Sequence, residues 1–198
     1  VRRIFFRLAA FVITLNFSAI RAQEIEYVGS ALWHQVNGVQ VRGDYAYCAF
    51  RYGLMILNIV DPANPTFVGK CYVAGEGKEL ALAGDYAYMA EGIAGLKIID
   101  ISNTSYPILI GGIDSVGYVE DVAVLGNFVY LAGGESFYDD DNVIIADVSD
   151  PHEPFVVGHC FVSSEATGIS VQDEYAYVTS DEGLSIIDVF NPRQPHQA

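Results

Sequence analysis

The sequence predicts an all-β protein: a β-propeller built from four repeats of about 42 residues, each folding into a four-stranded blade. The repeats make either a closed four-blade ring or a fragment of a larger propeller. Three observations predict this. An aromatic landmark recurs at Tyr45-Ala46-Tyr47, Tyr86-Ala87-Tyr88, Phe128-Val129-Tyr130 and Tyr175-Ala176-Tyr177, at intervals of 41, 42 and 47 residues. An apolar run follows each, at Leu54 to Ile59, Leu96 to Ile101, Val143 to Val148 and Leu184 to Val189. A proline then closes each unit, at Pro65, Pro107, Pro154 and Pro195, always 11 residues after its run begins. Length variation is therefore confined to the loop between landmark and run.

Each unit reads as four strands. The first alternates (Val39 and Val41; Leu80 and Leu82; Val122 and Val124; Ile169 and Val171), the period of two that buries one face. Gly43-Asp44, Gly84-Asp85 and Gly126-Asn127 supply a tight turn where positive φ is tolerated, and Asp173-Glu174 fills that place less comfortably. The second strand sets Tyr45 and Tyr47 on one face and Ala46 on the other, so that large residues of one sheet pack on small residues of the next. The third is almost wholly apolar, as in a strand covered on both sides. The fourth follows the Asp61 to Pro65 turn and carries Gly69, Gly111 or Gly158. A sandwich has no reason for a strict repeat, and a parallel β-helix would use a shorter one.

The third-strand motif with its trailing Asp-Pro-x-x-Pro resembles the LVIVD repeat of bacterial and archaeal cell-surface proteins, over nearly all of Val39 to Pro195. Departures are Asn58 in place of Asp, and Asn103-Thr104-Ser105-Tyr106 where Asp-Pro is usual. The resemblance implies a propeller of variable repeat number and brings no catalytic residues.

Residues 1–22 read as a secretory signal peptide, with Arg2 and Arg3 before an apolar stretch at Leu8 to Leu15 and a cut between Ala22 and Gln23. Arg7 and Asn16 interrupt the run, which argues against a transmembrane span. An exported protein is expected, extracellular, at the cell surface or periplasmic. Residues 23–198 then form the propeller: a strand at 26–33 belonging to a closing blade, and repeats at about 38–74, 79–115, 121–163 and 168–198. Gly29 in that first strand matches the fourth-strand glycines. It would complete the last blade of a four-blade ring, or continue a truncated longer one.

The formal charge is −15, and four of the ten Lys and Arg precede Gln23, so six basic residues face all 25 acids thereafter. That balance argues against nucleic-acid binding. The 52% apolar content argues against disorder. Loops that vary on a constant scaffold are where binding concentrates. The candidate binding set on the loop face is Tyr52, Glu91, Glu120, Asp121, Asp181 and Glu182, with Glu76 and Glu79 nearby. The longer loop of the third unit ends in Asp139, Asp140, Asp141 and Asn142, which could bind Ca²⁺, although the EF-hand spacing is absent. A solvated acidic loop is the plainer reading.

The odd set Cys48, Cys71 and Cys160 has no metal spacing, and Cys48 stands where other units carry Met89, Leu131 and Val178. Arg42-Gly43-Asp44 spells an adhesion tripeptide, but its equivalents show a hairpin turn. The expected function is a non-enzymatic exported module that binds a protein or glycan through its acidic loop face. The alternatives are a hydrolase or lyase acting on polysaccharide, with Glu91, Glu120 and Asp121 at the central channel, and a Ca²⁺-stabilised structural module.

Overall fold

A computed structural model describes residues 35–134 and 141–198. The strand expected at 26–33 and the residues Asp139 and Asp140 lie outside them. Among the described residues sixteen strands form four antiparallel four-stranded sheets, each in simple sequence order. The first comprises β1 (Val36–Arg42), β2 (Tyr45–Phe50), β3 (Gly53–Asn58) and β4 (Thr66–Tyr72). The second comprises β5 (Leu80–Ala83), β6 (Tyr86–Ala90), β7 (Leu96–Asp100) and β8 (Ile108–Ile113). The third comprises β9 (Tyr118–Leu125), β10 (Phe128–Gly134), β11 (Val143–Asp147) and β12 (Phe155–Cys160). The fourth comprises β13 (Ala166–Gln172), β14 (Tyr175–Ser180), β15 (Gly183–Asp188) and a short β16 (His196–Gln197).

The turn chemistry explains why each repeat folds alike. Gly43, Gly84 and Gly126 take φ of 59°, 52° and 60° at the first position of the two-residue hairpin, and Asp173 takes 55° at the same place. After each third strand the last polar residue accepts the amide two positions on. Asn58 does so for Val60, Asp100 for Ser102, Asp147 for Ser149 and Asp188 for Phe190, at 2.8–3.0 Å. A second turn of the same kind follows at Asp61, Asn103, Asp150 and Asn191. Asn58 and Asn103, the two departures from the motif, carry a side-chain oxygen where the turn requires an acceptor, so the geometry survives.

The fourth-strand glycines have a steric reason. A Cβ on Gly69 would run into the carbonyl oxygen of Thr104, on Gly111 into that of Pro151, and on Gly158 into that of Pro192. Each glycine thus receives the proline turn of the following sheet. In all three sheets an extra residue precedes the glycine, at Val68, Ile110 and Val157, where the ladder slips by one.

Three apolar clusters join consecutive sheets. Tyr47, Leu54 and Ile56 pack with Ala87, Met89 and Ile99 of the second sheet. Tyr88, Leu96 and Ile98 pack with Val129, Leu131 and Ala146 of the third. Tyr130, Val143 and Ile145 pack with Ala176, Val178 and Ile187 of the fourth. At every junction a tyrosine of one sheet shares a cluster with the smaller second-strand residue of the next (Ala87, Val129 or Ala176), as the alternation along the second strand predicts. Among the described residues no such cluster joins the fourth sheet to the first. The four described sheets therefore do not close on one another, and β15 departs from the expected doubly covered third strand because none of the described residues covers its outward face.

Candidate functional site

The first strands β1, β5, β9 and β13 converge on a channel of about 600 Å³, lined by Gln40, Arg42, Ala81, Leu82, Ala123 and Ser170 among others. Their starting ends, with the loops that lead from sheet to sheet, frame a mouth of about 430 Å³. Gln35, Asn37, Glu76, Lys78, Glu79, Glu120, Asp121 and Thr167 line it. The mouth lies at the end of the sheets where the variable loops sit, because β2 ends and β3 begins beside the start of β1.

The mouth is acidic but internally braced. Asp121 accepts the amides of its neighbour Val122 and of Ile169 in the next sheet, both at 2.7 Å. One carboxylate thus ties two innermost strands together. Glu79 accepts the amide of Leu80 at 3.0 Å. Burial pushes both carboxyls above their ordinary pKa; amide hydrogen bonds oppose this for both, and their mutual repulsion adds to the rise at Glu79. Lys78 stands between Glu76 at 3.3 Å and Glu120 at 3.9 Å, with its ammonium 5.3 Å from the Tyr118 ring centroid. Its hydrogen bond with Tyr118 raises its pKa first, and Glu120 and Glu76 add to this.

Of the residues expected from sequence, the structure brings Glu120 and Asp121 together with Glu76 and Glu79 at this mouth. Glu91 is elsewhere. It is fully buried beside Gly75 and Ala94, lines neither cavity, and has no hydrogen-bond partner on either oxygen among the described residues. Burial raises its pKa to about 8, against the opposing pull of Lys97. Lys97 itself donates to the Ala94 carbonyl at 2.7 Å and pairs with Asp114. Hence Glu91, Glu120 and Asp121 do not converge on one cavity as the hydrolase or lyase reading requires.

Tyr52 is exposed in the β2–β3 loop, with the Arg51 guanidinium 5.7 Å from its ring centroid. Asp181 and Glu182 are exposed in the β14–β15 loop. In the third loop, Asp141 pairs with His159. The neighbouring Asn142 is buried and saturated, donating to the carbonyls of Val162 and Ser164 and accepting the Val162 amide. The described end of the loop thus directs its polar atoms inward. The three cysteines are free thiols, and burial pushes Cys48 up to about 11. Sequence reasoning passed over Lys78, whose signal was its place among only six basic residues after Gln23.

Stacked four-stranded sheets around a channel, joined by a recurring large-on-small interface, define a propeller-blade array. The LVIVD repeat model matches the chain four times, at residues 35–73, 74–115, 116–162 and 164–197. The chain belongs to the LVIVD-repeat family. No curated protein matches it.

Solved structures share the fold at low identity. The computationally designed Ika4 protein is similar at TM-score 0.63 and 9% identity, over 79% of this chain and 92% of that one. The designed Ika8 protein is similar at TM-score 0.63 and 10% identity, over 80% of this chain and 47% of that one. A functionally unknown protein from Desulfotomaculum acetoxidans DSM 771 is similar at TM-score 0.67 and 11% identity, over 82% and 54%. The chain therefore spans about half the length of the last two. Among the described residues no helix is long and apolar enough to cross a membrane.

Proposed function

We propose that this chain is an exported, non-enzymatic propeller module that binds a cationic protein or glycan partner at the acidic channel mouth. The observation that supports the reading is the gathering of Glu76, Glu79, Glu120 and Asp121 around a single lysine at the open end of a preformed cavity. Glu76 is exposed and Glu120 half-buried, so their outer oxygens are available to a cation, while Asp121 and Glu79 hold the frame. A mouth with braced walls spends little conformational entropy on binding. Export rests on the layout of residues 1–22.

Calorimetry with oligolysine and with a partly deacetylated amino-glycan tests the reading. Binding that weakens with salt and falls about tenfold in the Glu76→Gln/Glu120→Gln double variant is expected. Affinity for neither probe, or affinity indifferent to the double substitution, overturns it. Export is tested by the N-terminus of secreted material, which should begin at Gln23.

A further inference from the structure

We propose that residues 74–78, the connection from the first sheet to the second, form a strap over the buried carboxyl of Glu91, and that loss of the Glu91 proton opens the strap and with it the channel mouth. Glu91 directly follows β6 and is fully buried. Neither of its carboxyl oxygens has a hydrogen-bond partner among the described residues. A neutral carboxyl tolerates such a place at modest cost, whereas an ionised one must find water or a counter-charge.

The strap covers this carboxyl. A Cβ on Gly75 would stand 2.8 Å from Glu91 Oε2 and 2.9 Å from the Ala94 Cβ, so glycine is what lets the chain pass this closely. Ala74 and Glu76 on either side of Gly75 are exposed, so water lies just beyond the strap. The strap is also more weakly held than the strands beside it. β6 and β7 are hydrogen-bonded into the second sheet on both of their edges. The strap is held instead by single bonds. The Glu76 amide donates to the Glu91 carbonyl at 3.3 Å, the Lys78 amide to the Ala90 carbonyl at 2.8 Å, and the Asn37 side chain to the Gly77 carbonyl at 2.6 Å. Moving the strap is therefore the least costly way to bring water to a charged Glu91.

The charged groups around Glu91 do not relieve its ionisation in place. Lys97 of β7 attracts the carboxylate, but its ammonium is held by the Ala94 carbonyl and by Asp114. Cys71 of β4 is within electrostatic reach, and burial pushes its thiol up, so it stays neutral at physiological pH. Glu76 and Lys78 of the strap line the mouth, where Lys78 pairs with Glu76 and Glu120 beside the Tyr118 ring. The turn after Glu91 also reaches the opposite wall. Gly92 and Val119, next to Glu120, exchange amide-to-carbonyl bonds at 3.0 and 3.1 Å. Glu91 and Gly92 thus bond to both walls that Lys78 bridges. An opened strap carries Glu76 and Lys78 away from Glu120. On the cation-binding reading above, on which this consequence rests, a partner held at lower pH is released as pH rises.

Hydrogen–deuterium exchange on the full chain between about pH 5.5 and about pH 8.5, corrected for the intrinsic pH dependence of amide exchange, tests the strap. Peptides covering 74–78 should exchange through an opening that leaves β6 and β7 protected. Ionisation favours the opened strap from the ordinary carboxyl range upward. Protection there should fall by up to about tenfold per pH unit and level off at about pH 8. Glu91→Gln keeps the shape without the titration and should leave protection high and flat. Glu91→Met serves if the amide variant folds poorly, which far-UV circular dichroism monitors. Strap protection indifferent to pH, a pH dependence that persists in the variants, or exchange only together with β6 and β7 overturns the proposal. The readout needs no ligand, so it succeeds or fails separately from oligolysine binding.

Discussion

Asp173 occupies the hairpin position that Gly43, Gly84 and Gly126 take in the other sheets, with φ of 55°. An L-residue there crowds its own carbonyl, so Asp173→Gly should raise stability by about 0.5–1 kcal/mol in chemical denaturation. Glu91 makes a larger statement. Its carboxyl ionises near its ordinary value when unfolded but holds its proton to about pH 8 when folded. The folded state therefore binds more protons between those limits, and stability must fall as pH rises from about 4.5 to about 8 and then level off. Burial without a partner makes the loss on the order of 4 kcal/mol. Denaturant melts across that window should show the decline, and Glu91→Gln should flatten it. An unchanged slope in the variant would show that another group is responsible.

The element scale is where the repeat motif acquires its meaning. Gly111 lies against the Pro151 carbonyl of the next sheet, so Gly111→Val should cost about 2–3 kcal/mol by forcing the two sheets apart, measured by thermal unfolding. Asp147→Ala removes one turn acceptor and should cost about 1 kcal/mol. Strand order, hairpin turns and alternating faces were legible in the sequence because local rules fix them: period-two burial, positive φ at the hairpins, and the proline-bounded turn. The reason for the fourth-strand glycine was not legible, because its neighbour lies 34 to 40 residues further on. Glu91 was misplaced for a similar cause. A loop acid reads as solvated until packing from Gly75 and Ala94 closes over it. Asn142, the amide beside the three aspartates of the acidic loop, has its side chain turned onto the backbone of Val162 and Ser164, a role that only the fold reveals. The mouth was partly legible: Glu120 and Asp121 adjoin a strand start, but the role of Asp121 as a staple to Ile169 needs the third dimension.

For the whole molecule, one interface type recurs three times, and among the described residues the tyrosine face of the fourth sheet is left uncovered. The acidic mouth sits where the first strands converge, so anything that displaces one sheet also reshapes the mouth. Displacing a sheet should therefore weaken binding, and the Gly111→Val variant should bind oligolysine less tightly than the parent protein.

The central claim is that one residue face is covered three times within the chain and left open the fourth. Hydroxyl-radical footprinting of the tyrosines, read by mass spectrometry, tests it most directly. The account predicts that Tyr47, Tyr88 and Tyr130 are protected, whereas Tyr177 is modified. Tyr177 protected like the others in dilute, monomeric protein would contradict it, because the chain would then cover its own fourth face.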